Sequence, residues 1–107
     1  MFARVSTYEL EHGRASEAMT AFEPAIDGIR QLDGFVEGFF LVERDGLNVM
    51  TVPLWESFDA MERSRITASR VRSDAAQEAG ATVTSSYEYE VGLHTGMAEQ
   101  LRSAYGA

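Results

Sequence analysis

Four arginines crowd one stretch of the chain, at Arg63, Arg65, Arg70 and Arg72. Arginine presents forked donors to planar anions, so the cluster suits a clamp for an anionic or phenolate ligand. The plainer reading of the cluster is a solvated helix face that pairs with local acids. His12 and His94 are the side chains that ordinarily titrate near neutral pH. His12 falls in a turn and is read as having no role. His94 closes the last strand as an exposed or hydrogen-bonded end residue, with a catalytic base as the alternative. Tyr87 and Tyr89 are two residues apart and suit an interface or a core as well as acid–base work. The chain has no cysteine, which excludes disulfides, thiolate nucleophiles and cysteine-bound metal. No metal ligands and no catalytic residues are assigned.

These residues are positioned by alternating strands and two helical stretches. Phe35–Ser57 is the centre of the pattern: two apolar runs joined at Asp45-Gly46, a strong hairpin signal. A two-residue type I′ loop there sets Arg44 opposite Leu47, Val42 opposite Val49, Phe40 opposite Thr51, Gly38 opposite Pro53 and Val36 opposite Trp55. Those residues share one sheet face, because side chains alternate along a strand. The other face holds Glu37, Phe39, Leu41, Glu43, Asn48, Met50, Val52 and Leu54. Both faces are rich in apolar groups, whereas a half-solvated sheet alternates more cleanly. The sheet therefore needs cover on both sides.

Phe2–Leu10 is read as the first strand, with Phe2, Arg4, Ser6 and Tyr8 on one face. Ser16–Leu32 has helical spacing, with Ser16 as cap. Pro24 should kink this helix or split off its first turn. Gly34 follows as a left-handed stop. Ser57 caps a second helix that runs to Gly80, with a break expected near Ile66-Thr67. Ala81–Leu93 is the fourth strand, with Val83, Ser85, Tyr87, Tyr89 and Val91 on one face. If the first and fourth strands are neighbours, Arg4 can pair with Glu88 or Glu90. The order β-α-β-β-α-β favours an α+β, ferredoxin-like antiparallel sheet of four strands with both helices on one face. Strands one and three are then central, and Pro53 should cause a bulge or an early end of pairing. Residues 1–95 form the expected domain; residues 96–107 are a tail or a short helix using Met97, Leu101 and Tyr105.

The chain has 107 residues, of which 45% are hydrophobic, enough for a packed core without staples. Its net charge is −8 and every cationic side chain is Arg. That acidity argues against nucleic acid and anionic membrane partners. No apolar run approaches the roughly 18 residues of a spanning helix. The start, MFARVSTYEL, lacks the pattern of a signal peptide, and a cytoplasmic location is expected.

The strand order, the Gly34-Phe35 entry into the second strand and the passage Thr51–Ser57 (TVPLWES) resemble the antibiotic biosynthesis monooxygenase family, a branch of the dimeric α+β barrels. The resemblance covers about Phe2 to Leu93. It implies a homodimer whose two sheets pack face to face, which would cover the second apolar face, and a pocket in each subunit between sheet and helices. Family members include oxygenases that use no metal or organic cofactor, in which a phenolic substrate is deprotonated and its carbanion reacts with oxygen. Such a site needs a dry aromatic slot, a donor to the developing enolate and a base with a pKa near neutral. The resemblance nominates Trp55, Phe40, Phe22 and Tyr87 for the slot, with Thr51, Tyr87 and Trp55 as donors and Met61 as an adaptable wall. In the polyphenol oxygenases an Asn stands four residues before the tryptophan and a Tyr six after it. Here those positions are Thr51 and Met61, so only Trp55 carries over. The plainer role for Trp55 is closing the core where strand meets helix. The haem-degrading branch has residues with no counterpart here, and haem is rejected. The expected function is a cofactor-independent monooxygenase of an aromatic or quinol-like molecule. The alternative is a non-catalytic barrel that binds a small hydrophobic ligand or serves as an accessory subunit. An isomerase or cyclase using His94 or a Glu as base is a more distant third.

Overall fold

The structure, a computed structural model, describes residues 1–11, 15–44 and 46–95. The elements run β1 (Phe2–Leu10), α1 (Ala15–Ile29), β2 (Phe35–Val42), β3 (Asn48–Trp55), α2 (Phe58–Arg63), α3 (Arg65–Ala79) and β4 (Ala81–Glu90). The strands form one antiparallel sheet in the order β2-β3-β1-β4, so β1 and β3 are central. This is the ferredoxin-like α+β architecture expected from the sequence, with the second helix divided in two. His12, Asp45 and the residues from 96 onward, on which turn, loop and tail readings fell, lie outside the described residues.

The hairpin pairs as its alternation dictates, with Val42 opposite Val49, Phe40 opposite Thr51 and Gly38 opposite Pro53. The fourth pair differs. The register shifts between Phe35 and Glu37, and Phe35, not Val36, stands opposite Trp55. The bulge therefore sits on β2, while the interruption opposite Pro53 is on the β1 side. There the pairs run from Ala3–Leu54 to Ser6–Thr51 and skip Arg4 and Val5 without a change of register. Proline has no N–H to give that ladder.

A second bulge changes β4. Thr7 stands opposite Ser85 but Tyr8 opposite Val83, so Thr84 is an extra residue. One extra residue turns all later side chains to the other face. Val83 thus shares a face with Tyr8, while Tyr87, opposite Val5, lies on the other. The single alternating face expected for Val83 through Val91 does not form.

α1 and α3 cover one sheet face. Tyr8, Leu10 and Val49 of the sheet pack with Ala18 and Phe22 of α1 and with Ala75 and Ala76 of α3. Phe22 sits edge-on to Tyr8, with ring centroids 4.9 Å apart, and 5.1 Å from Phe40. A smaller cluster joins Trp55 to Ala60 and Met61, with Leu32 and Phe35 against it. α1 is one helix through Pro24, which is exposed, so water can satisfy the carbonyl that the proline leaves free. It ends at Ile29, before the expected Leu32, and Gly34 follows at φ 84°.

The break in the second helical stretch is at Ser64, two residues before the expected place. Its cause is a buried polar knot. The Ser64 hydroxyl donates to the Met61 carbonyl at 2.6 Å, and Arg4 Nη2 donates to the same carbonyl at 3.0 Å. Arg4 Nη1 also donates to Ser64 Oγ at 3.3 Å. A carbonyl so engaged is satisfied without the next helical N–H. Arg4 also donates to Glu88 Oε2 at 3.1 Å, which is the expected ion pair between the first and last strands. Ser57 caps α2 as expected, its Oγ accepting from Ala60 N at 3.1 Å.

The other sheet face has no helices. Phe39, Leu41, Tyr87 and Tyr89 are 51%, 46%, 61% and 52% exposed there, too open for a finished core. Among the described residues, no helix is long and apolar enough to cross a membrane.

Candidate functional site

A cavity opens between the helices and the sheet. Its empty space is about 580 Å³ counting the open mouth. The floor is the middle of the sheet: Arg4, Ser6 and Tyr8 from β1, Thr51 and Pro53 from β3, and Phe35 and Gly38 from β2. One wall is α1, through Phe22, Ala25, Ile26 and Ile29; the other is α3, through Ala68, Val71 and Arg72.

Local sequence explains why space remains. Gly38 and Pro53 stand opposite each other, so the floor has no side chain at one position and a short ring at the next. A Cβ built on Gly38 would come 3.3 Å from the Phe35 ring, close enough to press on the cavity wall. Ala25 and Ala68 thin the two helices where they face that floor.

The polar groups gather on one side. Tyr8 is fully buried, and its hydroxyl is 2.9 Å from Thr51 Oγ1. Burial pushes the Tyr8 phenol above its usual value near 10, and the Thr51 hydrogen bond and the Arg72 charge only partly oppose this. At neutral pH Tyr8 is therefore a hydroxyl and not a phenolate. Ser6 Oγ is 2.9 Å from Ser86 Oγ, and Arg4 is held by Glu88. Arg72 is half-buried at the cavity wall. Everything else along the lining is apolar or backbone.

Of the six pocket residues nominated from the sequence, Phe22 and Thr51 line this cavity. Phe40 stacks behind Phe22 without forming part of the lining. Trp55 is fully buried in the smaller cluster, edge-on to Phe35 with ring centroids 5.7 Å apart, so Phe35 stands where Trp55 was expected. Met61 is buried in that same cluster. Tyr87 lies on the open sheet face, turned there by the Thr84 bulge. Of the four clustered arginines, Arg63, Arg65 and Arg70 are exposed and only Arg72 reaches the cavity. Arg65 pairs with Glu62 and, at 3.3 Å, with Glu88. His94 is 3.4 Å from Glu37 and is not part of the cavity lining. Tyr8 and Arg72 were not singled out as a pair. The available signal was the Arg4-Ser6-Tyr8 alternation, which puts three polar groups on the helix-covered face.

No protein-family model matches the chain. The crystal structure of a mutant of SnoaB, a cofactor-independent oxygenase from Streptomyces nogalater, superposes with a TM-score of 0.70 at 20% identity, covering 87% of this chain and 94% of that one. A proposed antibiotic biosynthesis monooxygenase from Deinococcus radiodurans superposes at 0.62 with 17% identity, covering 91% and 98%. The chain thus has the fold of the antibiotic biosynthesis monooxygenases, as the sequence resemblance implied. Two uncharacterized Mycobacterium tuberculosis proteins, from different strains, are 34% identical over 70 residues. That stretch is 65% of this chain, and it spans only 30% of the length of those relatives.

Proposed function

We propose that this chain is a cofactor-independent monooxygenase acting on a flat aromatic or quinol-like small molecule. The observation that carries the reading is the apolar cavity between helices and sheet, in a fold shared with a cofactor-independent oxygenase. A site of this kind buries most of a small ligand and fixes it with few polar groups. In the reaction, a ring-activated CH2 loses a proton to water to give a carbanion–enolate, and a proton returns from water to the peroxide anion formed in the next step. Oxygen adds at that carbon, and the hydroperoxide so formed loses water to leave a carbonyl. One O2 is consumed and one water is released. The lining's part is to hold the ring, keep bulk water from the carbanion and donate a hydrogen bond to the enolate oxygen. Tyr8 and Thr51 are the donors within reach of the floor.

The active unit in this reading is one domain of residues 1–95, paired as a homodimer through the open sheet face. The test is oxygen uptake with anthrone as substrate. Uptake above the blank, with one quinone per O2, is expected; an absence of both turnover and binding overturns the reading.

A second reading rests on where the other nominated residues fall. Trp55 and Met61 are sealed in the core, so of these two and Thr51 only Thr51 reaches the cavity. That favours a barrel that binds a small hydrophobic ligand without transforming it. Binding of anthrone without oxygen uptake would select it.

A further inference from the structure

We infer that Gly38 is a specificity-determining residue of the cavity: by carrying no side chain it lets the Phe35 ring rest back against the floor, which leaves room for the third ring of a fused system. This rests on the reading of the cavity as a ligand site and adds what fixes the size of the molecule that enters.

A glycine inside a strand weakens it, because the chain loses more freedom on folding and has no side chain to pack. The ordinary reasons for keeping one are absent at Gly38. Its backbone is not left-handed; among the described residues positive φ belongs to Gly34 and Gly80. The bulge in β2 is complete before it, between Phe35 and Glu37. No backbone crowds it either, since an added Cβ would lie an ordinary 3.6 Å from Pro53 Cα. What that Cβ would press is the Phe35 ring, at 3.3 Å from Cζ and 3.5 Å from Cε2. A strand glycine kept without a conformational reason marks a place where another molecule comes close to the main chain.

The effect of any side chain there falls on the cavity, because Phe35 has no retreat. Trp55 stands behind it, edge-on with ring centroids 5.7 Å apart and fully buried. A side chain at position 38 therefore intrudes twice, by its own volume and by tipping the phenyl ring into the open space. The cavity runs along the sheet from Tyr8 at one end to Phe35 at the other. The Gly38–Pro53 pair is the last row of the floor before Phe35, so it underlies the far ring of an extended fused molecule.

The test compares anthrone with 1-tetralone, a ketone that keeps the carbonyl and lacks the third ring. Dissociation constants are measured by equilibrium dialysis under nitrogen, so that binding is read apart from oxygen chemistry. In Gly38→Ala the preference for anthrone over 1-tetralone should fall by about tenfold or more, the scale on which one carbon counts in an apolar pocket. The melting temperature should hold or rise, because the ring yields into empty space and the strand gains a better residue. In Gly38→Ala/Phe35→Leu the end wall is trimmed, and most of the preference should return. Gly28→Ala, exposed on α1 with nothing within 4 Å of an added Cβ, should leave the preference as it is. An unchanged preference in Gly38→Ala, a fall matched by Gly28→Ala, or a fall that Phe35→Leu does not recover overturns the inference. A Gly38→Ala protein that melts clearly lower or does not fold makes the glycine structural and overturns it too. If neither ketone binds the native protein, the inference falls together with the ligand-site reading. The expected fall in a protein that consumes no oxygen with anthrone upholds the inference and removes the oxygenase.

Discussion

Arg4 brings a charge into the protein and divides its donors among three places: Glu88 on β4, the Met61 carbonyl in α2 and Ser64 at the helix break. Its side chain is 5% exposed and that of Glu88 is 30% exposed. Breaking a buried pair from one side leaves the partner charge uncompensated and costs about 3–5 kcal/mol. Glu88 retains some water and a second contact with Arg65, which places Arg4→Ala near about 3 kcal/mol. Urea unfolding should show a lower midpoint with an unchanged slope. Tyr8 gives a pH signature. Its folded-state pKa is raised, so below the ordinary tyrosine range its contribution is fully present. Above that range the unfolded chain loses the proton first, and stability falls until the folded pKa is passed. Unfolding followed between about pH 9 and pH 11 should show this decline in the native protein and a shallower one in Tyr8→Phe. The Arg4–Glu88 pair was legible in the sequence because strand neighbours and alternation determine it. Tyr8 and Arg72 were not, because which arginine of a cluster turns inward depends on where the helix breaks, and Ser64 sets that through a contact with β1.

The elements were easier to read than their joints. The hairpin register follows from alternation and loop length, and three of its four inner pairs hold. The two bulges escaped, since an extra residue at Val36 or Thr84 leaves the composition of the strand unchanged and shows only in pairing. Trp55 was nominated for the pocket by the family resemblance, and the first bulge leaves Phe35, not Val36, opposite it. The helix stops carry a prediction of their own. Gly34 and Gly80 both have positive φ, at 84° and 66°. At Gly80 a Cβ would meet nothing within 4 Å, so Gly80→Ala should cost only the backbone term, about 1–2 kcal/mol. At Gly34 the Cβ would fall on that of Ala60, adding a steric clash to the same backbone cost. Gly34→Ala should therefore lower the melting temperature clearly more than Gly80→Ala, which differential scanning calorimetry can measure.

As a whole the molecule is a sheet finished on one side. The helix-covered face has its core; the open face carries Phe39, Leu41, Tyr87 and Tyr89 about half exposed, beside the partly buried Val5, Met50 and Val52. A contiguous apolar band on a sheet is a site for association. In the homodimer proposed above, a second copy covers this band. Sedimentation should then give twice the chain mass of 11.8 kDa, and Leu41→Glu should shift the species toward monomer while leaving the helix-side cavity in place. A native chain that sediments as a monomer at micromolar concentration would rule that assembly out.

The lone tryptophan sits with no exposed surface, its Nε1–H without a hydrogen-bond partner among the described residues, enclosed by Phe35, Met61 and Ala60. An indole in such a dry box emits at short wavelength, and emission moves to the red when water reaches the ring. Phe35 touches this ring and also lines the cavity between helices and sheet. The protein therefore contains its own optical gauge of folding, one phenyl ring away from the space where a bound molecule would announce itself.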